Sequence, residues 1–454
     1  MKISLPAESI LNSRQFTFGV ATAAFQIEGG ADSRLDSIWD TFCDTPNKIK
    51  DGSNGKIACN HFEKWQQDVE LIDFLGVDAY RFSVSWPRVI NRDGSLNQQG
   101  VDFYIKLLDR LIEKNIKPYV TLYHWDLPQY LEDEGGWLNR QTAFRFRDYV
   151  DLISQAFGDR VYSYATLNEP FCSAYLGYEI GIHAPGKVGK QFGKKAVHNL
   201  LLAHGLAMQV LRKNSPDSLN GIVLNFSPCY AKTDNSDDIA AAELADQHFN
   251  HWYIKPVIDG CYPDIINDLP EEEKPEIEEG DLALIAQKMD YIGINYYTRE
   301  VFQAGEEGDF VNAGKSLQPL TEMGWEVYPD GLTDILVALH QQYQLPPVYI
   351  TENGAAMADS VEQGEINDVD RIEYFHTHLN AVNDAINQGV NIQGYFAWSL
   401  MDNFEWAEGY EKRFGIVYVD YASQKRTIKA SGYAYKDFVL QRKDKLGNHP
   451  QSSR

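Results

Sequence analysis

The chain is short of cysteines, of cations and of long apolar runs, and each shortage removes a class of protein. Its five cysteines (Cys43, Cys59, Cys172, Cys229 and Cys261) are odd in number, widely spaced and free of any CxxC pair. That excludes a disulfide scaffold or a cysteine-rich zinc site and leads us to expect reduced thiols in a cytoplasm. Lys and Arg total 41 against 65 Asp and Glu, a formal charge of −24, so the chain's field repels a phosphate backbone and no nucleic-acid partner is expected. The opening MKISLPAESILNSRQF lacks an apolar signal core, and nowhere do the roughly 18 apolar residues of a membrane span run uninterrupted. We therefore expect a soluble, unexported chain with no membrane partner. No Pro-rich or Gly/Ser-rich linker divides it, so residues 1–454 are expected to form one domain.

Apolar and aromatic residues are plentiful, and they fall in a pattern. Short runs rich in β-branched and aromatic residues occur at 16–22, 79–86, 118–125, 162–169, 221–227, 291–297, 347–353 and 393–399, and each reads as a buried strand. Between them lie segments of helical period, such as Phe62, Trp65, Val69, Ile72 and Leu75, or Val101, Tyr104, Leu107, Leu108, Leu111 and Ile112. Comparable patterns near 142–157, 196–213, 240–258, 330–343 and 370–388 make strand and helix alternate. Alternation of this kind gives a parallel sheet, and eight units close into a single (β/α)8 TIM barrel of the α/β class with elaborated βα loops. The acidic run at 270–281 reads as a solvated loop.

Chemistry in such a barrel sits at the C-terminal ends of the strands. There the sequence places Gln26 and Glu28 after strand one, Arg81 in strand two, and His124, Trp125 and Asp126 at strand three. Asn168 and Glu169 end strand four, while Asn295, Tyr296 and Tyr297 end strand six. Glu352 and Asn353 end strand seven, Trp398 ends strand eight, and Asp402, Asn403, Glu405 and Trp406 lie just beyond. Apolar runs ending in amides, carboxylates and indoles suit a polyhydroxylated ligand, which needs hydrogen bonds at its ring edge and an aromatic face beneath. Glu169 in TLNEP and Glu352 in ITENG stand out, because glycoside hydrolysis requires two carboxyl groups across one bond. A lone carboxylate at a strand end is more often a helix cap or an ion-pair member. Two on opposed strands, amid costly polar groups, shift the balance towards a ligand site. His376 and His378 diverge on their helix, His124 and Asp126 lack a third ligand, and no metal or cofactor is expected. Cys172 reads as a packed thiol near the pocket.

The motifs FTFGVATAAFQIEG, RFSVSWPRV, LYHWDLP, TLNEP, GINYY, YITENG, AWSLMDNFEWAEGY and RFGIVYVD together resemble those of family 1 glycoside hydrolases, in that family's order and over essentially the whole chain. The resemblance, to bacterial β-glucosidases, implies a retaining double displacement with Glu169 as general acid/base and Glu352 as nucleophile, supported by Arg81 and Tyr297. It implies that Gln26, His124, Asn168, Glu405 and Trp406 bond the nonreducing glycosyl unit, together with Asn295, over a Trp398 floor, and that Asn168 meets the 2-hydroxyl. Trp325 matches an aromatic on the aglycone side, though an ordinary loop anchor fits it equally. The partner implied is a small β-glucoside, with galactosides or fucosides also accepted. Two other readings stay open. One is a 6-phospho-β-glucosidase, against which the negative charge of Glu405 argues; the other is a noncatalytic sugar-binding barrel, against which the presence of both carboxylates argues. Linkage preference is expected to reside in the loops around 171–190 and 300–325, and oligomeric state is not legible.

Overall fold

In the computed structural model, which describes residues 2–314 and 319–446, eight parallel strands close into a barrel in sequence order. They are β1 (Thr17–Ala21), β2 (Ala79–Ser83), β3 (Lys117–Thr121), β4 (Ser163–Asn168), β5 (Leu219–Asn225), β6 (Tyr291–Asn295), β7 (Val348–Asn353) and β8 (Ile392–Trp398). Each overlaps a run expected from sequence. Closure is made by β1 against β8, with Thr17 opposite Gly394 and Ala21 opposite Trp398. Every residue of β1, β2, β4, β6 and β7 is buried, because helices cover the outer face and side chains fill the inner one.

The covering helices are α1 (His61–Leu75), α2 (Gln98–Glu113), α3 (Gln141–Phe157), α4 (Lys190–Asn214), α5 (Ser236–Asp246), α6 (Trp252–Asp259), α7 (Pro329–Gln342), α8 (Val369–Asn387) and α9 (Ala430–Leu446). In α2 the periodic residues Val101, Tyr104, Leu107, Leu108 and Leu111 are buried, with Gly100 and Phe103 beside them, as an amphipathic helix packed on a barrel requires. Ile112, expected in the same set, falls at the edge of the stripe and is exposed. The segment expected as one helix over 240–258 is two, α5 and α6, joined by a widened turn at Gln247–His251. Asn250 in that turn donates to the Ser227 carbonyl at 2.8 Å, tying the break to the loop after β5. The acidic run is solvated at most positions, but its last residue, Asp281, is buried and accepts both Arg140 Nη atoms at 2.6 and 2.7 Å. Among the described residues no helix is long and apolar enough to cross a membrane.

Two features position the site. The ladders slip at their C-terminal ends: β4–β5 shifts between Ala165 and Asn168, and β6–β7 shifts between Ile350 and Glu352, leaving Glu352 opposite Asn295. Irregular pairing of this kind re-aims side chains, and it falls on the strands that lead to Glu169 and Glu352. Just beyond, a Cβ at Gly354 would stand 1.7 Å from the Trp398 carbonyl oxygen, so only glycine lets β7 leave the barrel this close to β8.

Candidate active site

A cavity of about 820 Å³ opens at these strand ends. His124, Glu169, Asn295, Tyr297, Trp325, Glu352, Trp398, Glu405 and Trp406 line it, while Gln26, Arg81 and Asn168 are buried beside them in the same bonded network. The predicted residues thus converge on one place.

Glu352 is held by two donors. Its Oε1 accepts Arg81 Nη1 at 2.8 Å and its Oε2 accepts the Tyr297 hydroxyl at 2.7 Å. Arg81 uses its other nitrogen, Nη2, on Asn168 Oδ1 at 2.6 Å, which turns the Asn168 amide nitrogen towards His124 Nε2 at 3.1 Å. That assignment makes Nε2 an acceptor and puts the His124 proton on Nδ1. Burial, and then the Arg81 charge, hold His124 well below its ordinary pKa. It is a neutral ring, stacked at 5.9 Å against Trp398 on one contact and at 5.9 Å against Trp406 on another.

Glu169 keeps different company. Its Oε1 accepts Asn295 Nδ2 at 2.7 Å, and Cys172 Sγ stands 3.2 Å from its Oε2; among the described residues no cation bonds it. Thr351 Oγ1 donates to Asn295 Oδ1 at 2.6 Å and so fixes the amide. Burial, and then the charge of Glu352, raise the Glu169 pKa, against the opposing pull of Asn295, Cys172 and Arg81. The backbone here is strained as well. Trp125, Glu169 and Trp406 have φ of +78°, +47° and +51°, a region that costs residues bearing a Cβ roughly 1–3 kcal/mol each. Trp125 Nε1 donates to the Asn168 carbonyl at 2.8 Å and its ring lies 4.5 Å from Trp406, so packing holds the strained residues in place.

The loop after β8 is anchored from below. Asp402 accepts Arg413 at 2.6 Å, Lys429 at 2.7 Å and the Gly415 amide at 3.0 Å. Asn403 Oδ1 then accepts Gln26 Nε2 at 2.9 Å. Among the described residues, the buried Gln26 Oε1 and His124 Nδ1 find no protein partner, an expense in a folded core that a polar ligand offsets. Glu405 stands at this wall, with Gln26 Nε2 3.5 Å from its Oε2. Burial first, then Glu352, Glu408 and Glu169, push its pKa up to about 8. A carboxyl so raised carries less than its full charge near neutral pH, so repulsion by Glu405 is not by itself enough to exclude a 6-phosphate.

Trp325 lines the cavity and packs 5.4 Å from Tyr297 and 6.1 Å from Phe414, which favours the pocket over the loop-anchor alternative. The outer wall, Phe171, Leu176, Ile182 and Met323, comes from the two loops expected to govern the aglycone; residues 315–318 of the second lie outside the described residues. Sequence reasoning missed the Cys172 contact, for which the spacing of three from Glu169 was the only signal.

Two carboxylates in unlike surroundings share one cavity with stacked indoles, at the C-terminal mouth of a (β/α)8 barrel, and this defines a glycoside-hydrolase class of site. The model of glycosyl hydrolase family 1 matches residues 11–444, and the chain belongs to that family. It is 45% identical over 431 residues to β-glucosidase A of Thermotoga maritima, covering 93% of this chain and 96% of that one. A bifunctional β-D-glucosidase/β-D-fucosidase of Bifidobacterium breve is 42% identical over 453 residues, with 93% and 97% covered. The solved family 1 β-glucosidase of Thermotoga maritima in complex with isofagomine lactam superposes with a TM-score of 0.91 at 43% identity, covering 97% of this chain and 99% of that one.

Proposed function

We propose that the chain is a retaining β-glucosidase that releases terminal nonreducing β-D-glucosyl units from β-glucosides and short oligosaccharides. The observation that carries this reading is the contrast between the carboxylates: Glu352 bonded by Arg81 and Tyr297, Glu169 bonded by neutral donors with its pKa raised. One is equipped to attack and the other to hold a proton. Glu352 attacks the anomeric carbon while Glu169 gives its proton to the glycosidic oxygen; the bond to the aglycone breaks and a glycosyl ester of Glu352 forms. Water then attacks the same carbon and yields its proton to Glu169, and the ester bond breaks. Two inversions leave the β-anomer.

In this reading Gln26, His124, Asn168, Asn295, Glu405 and Trp406 take the sugar hydroxyls, Trp398 lies beneath the ring, and Tyr297 serves sugar and nucleophile alike. Trp325 meets the aglycone. The name of the Bifidobacterium breve relative supports acceptance of fucosides, and galactosides differ from glucosides only at carbon 4. A cytoplasmic setting is favoured by the cysteines, which are all unpaired. The test is to inactivate the protein with a 2-deoxy-2-fluoro-β-glucosyl fluoride, map the adduct by peptide mass spectrometry, and follow the first-formed glucose by NMR. A label on Glu352 and initial β-glucose are expected; a label elsewhere or initial α-glucose overturns the mechanism.

A further inference from the structure

The turn that leaves Glu169 brings a thiol back onto it. Pro170 and Phe171 lead into a widened helical segment, Cys172–Glu179, and the Cys172 amide donates to the Glu169 carbonyl at 2.9 Å. A spacing of three residues in a helical turn sets side chains side by side, and Cys172 Sγ accordingly lies 3.2 Å from Glu169 Oε2. Both groups are buried. The other carboxyl oxygen, Oε1, is occupied by the Asn295 amide at 2.7 Å, whose orientation Thr351 fixes. An amide N–H cannot accept, so the proton of the neutral acid resides on Oε2, the oxygen that the thiol touches.

We propose that Cys172 is a positioning residue whose S–H donates to Oε2 whenever Glu169 is ionised, stabilising the carboxylate that must act as base in the second half of the reaction. This rests on the acid/base reading of Glu169 given above. In the first half Oε2 gives its proton to the glycosidic oxygen, and the S–H turns to the oxygen left bare. In the second half water returns a proton to Oε2 and the thiol is released. No proton leaves sulfur at any point: burial, and then the Glu169 charge, hold the Cys172 thiol well above its ordinary pKa, so it neither competes as an acid nor attacks as a thiolate. The charged and titratable groups facing Glu169 are Glu352, Arg81, Tyr297 and Glu405, with neutral His124 beyond Asn168. Against them the thiol is a modest, local donor.

The test is the pH dependence of kcat/KM for an alkyl β-glucoside, whose departure needs the acid, beside dinitrophenyl β-glucoside, whose departure does not. Cys172→Ala and Cys172→Val remove the donor, and each is expected to move the alkaline limb up by about half a pH unit on the alkyl substrate alone. Cys172→Ser keeps a donor and is expected to leave that limb at the wild-type position or below it. Titration of Glu405 would move both substrates together and is separated in this way. An unmoved limb in a folded Ala or Val variant overturns the role of Cys172, as does an upward move in Cys172→Ser, which remains decisive should the other two not fold. The reading of Glu169 fails separately, if Glu169→Ala loses activity equally on both substrates.

Discussion

Asn295 stands opposite Glu352 in the β6–β7 ladder while its side-chain amide donates to Glu169 at 2.7 Å. One residue therefore sets the spacing and the aim of both carboxylates, and the chemistry follows from their difference rather than from either alone. Glu169→Ala removes the proton donor without touching the Arg81 and Tyr297 bonds to Glu352. Turnover of an alkyl β-glucoside is expected to fall by about 10²–10⁴, the usual worth of a positioned acid. Dinitrophenyl β-glucoside keeps its rate of bond cleavage, because that leaving group departs unprotonated. Single-turnover rates on the pair check this.

Glu352→Gly leaves Arg81 and Tyr297 facing an empty position. Hydrolysis is expected to drop by several orders of magnitude with folding intact, since the covalent step loses its nucleophile. Added azide attacks from the vacated face and gives the α-glycosyl azide, identifiable by NMR. Near-normal turnover in this variant, or a β-azide, contradicts the assignment.

The barrel was legible because parallel strands covered on both faces leave long apolar runs, and because those runs stop at residues such as His124, Asn168 and Glu352 that a core does not otherwise tolerate. Helix α9 was not legible. Its buried Tyr435, Phe438 and Val439 alternate with exposed Tyr433 and Leu440, which blurs the period. The same holds for the small sheet of Cys229–Ala231, Glu300–Ala304 and Phe310–Asn312, since a short, half-buried hairpin is completed by a strand from a loop distant in sequence. At the site, the family resemblance named the partners of Glu352. Residue types could not reveal that Glu169 itself sits at positive φ, because nothing in a non-glycine residue announces a left-handed backbone.

Stability is expected to reflect the buried acids. Burial raises the pKa of Glu405 in the fold to about 8, whereas in the unfolded chain it ionises near the usual value of about 4.3. Between those values the open chain has lost a proton that the folded chain keeps, so raising the pH favours unfolding across that window, and above about 8 the effect levels off. Glu405→Gln removes the group that titrates. Its Tm is expected to match the wild type near pH 4 and to exceed it increasingly towards pH 8. Calorimetry across that range checks the sign; a gain largest at low pH refutes it. The same variant is expected to lose activity, because an amide offers the sugar hydroxyls one acceptor oxygen where a carboxyl group offers two.

Discrimination against 6-phosphates is expected even where the raised pKa of Glu405 leaves it partly uncharged, for a second reason. A 6-phosphate carries close to two negative charges at pH 7, and burying them demands cations. The buried guanidinium of Arg81 already bonds Glu352 and Asn168, the lysines at the cavity's rim are engaged, Lys50 with Glu408 and Lys48 with the Gly181 carbonyl, and the chain as a whole carries −24. An unpaired dianion in such a cavity costs several kcal/mol, so nitrophenyl β-glucoside is expected to exceed its 6-phosphate at least a hundredfold in kcat/KM at pH 7, at about 1.4 kcal/mol for each factor of ten. The gap is expected to widen between pH 7 and 9, as Glu405 ionises through about 8 and adds direct repulsion to the cost of burying the dianion. Glu405→Ser removes that widening and narrows the gap at pH 7, mainly by weakening the neutral substrate. Comparable values for the two substrates at pH 7 overturn the substrate class, and a gap that stays flat to pH 9 in the wild type removes Glu405 from the explanation.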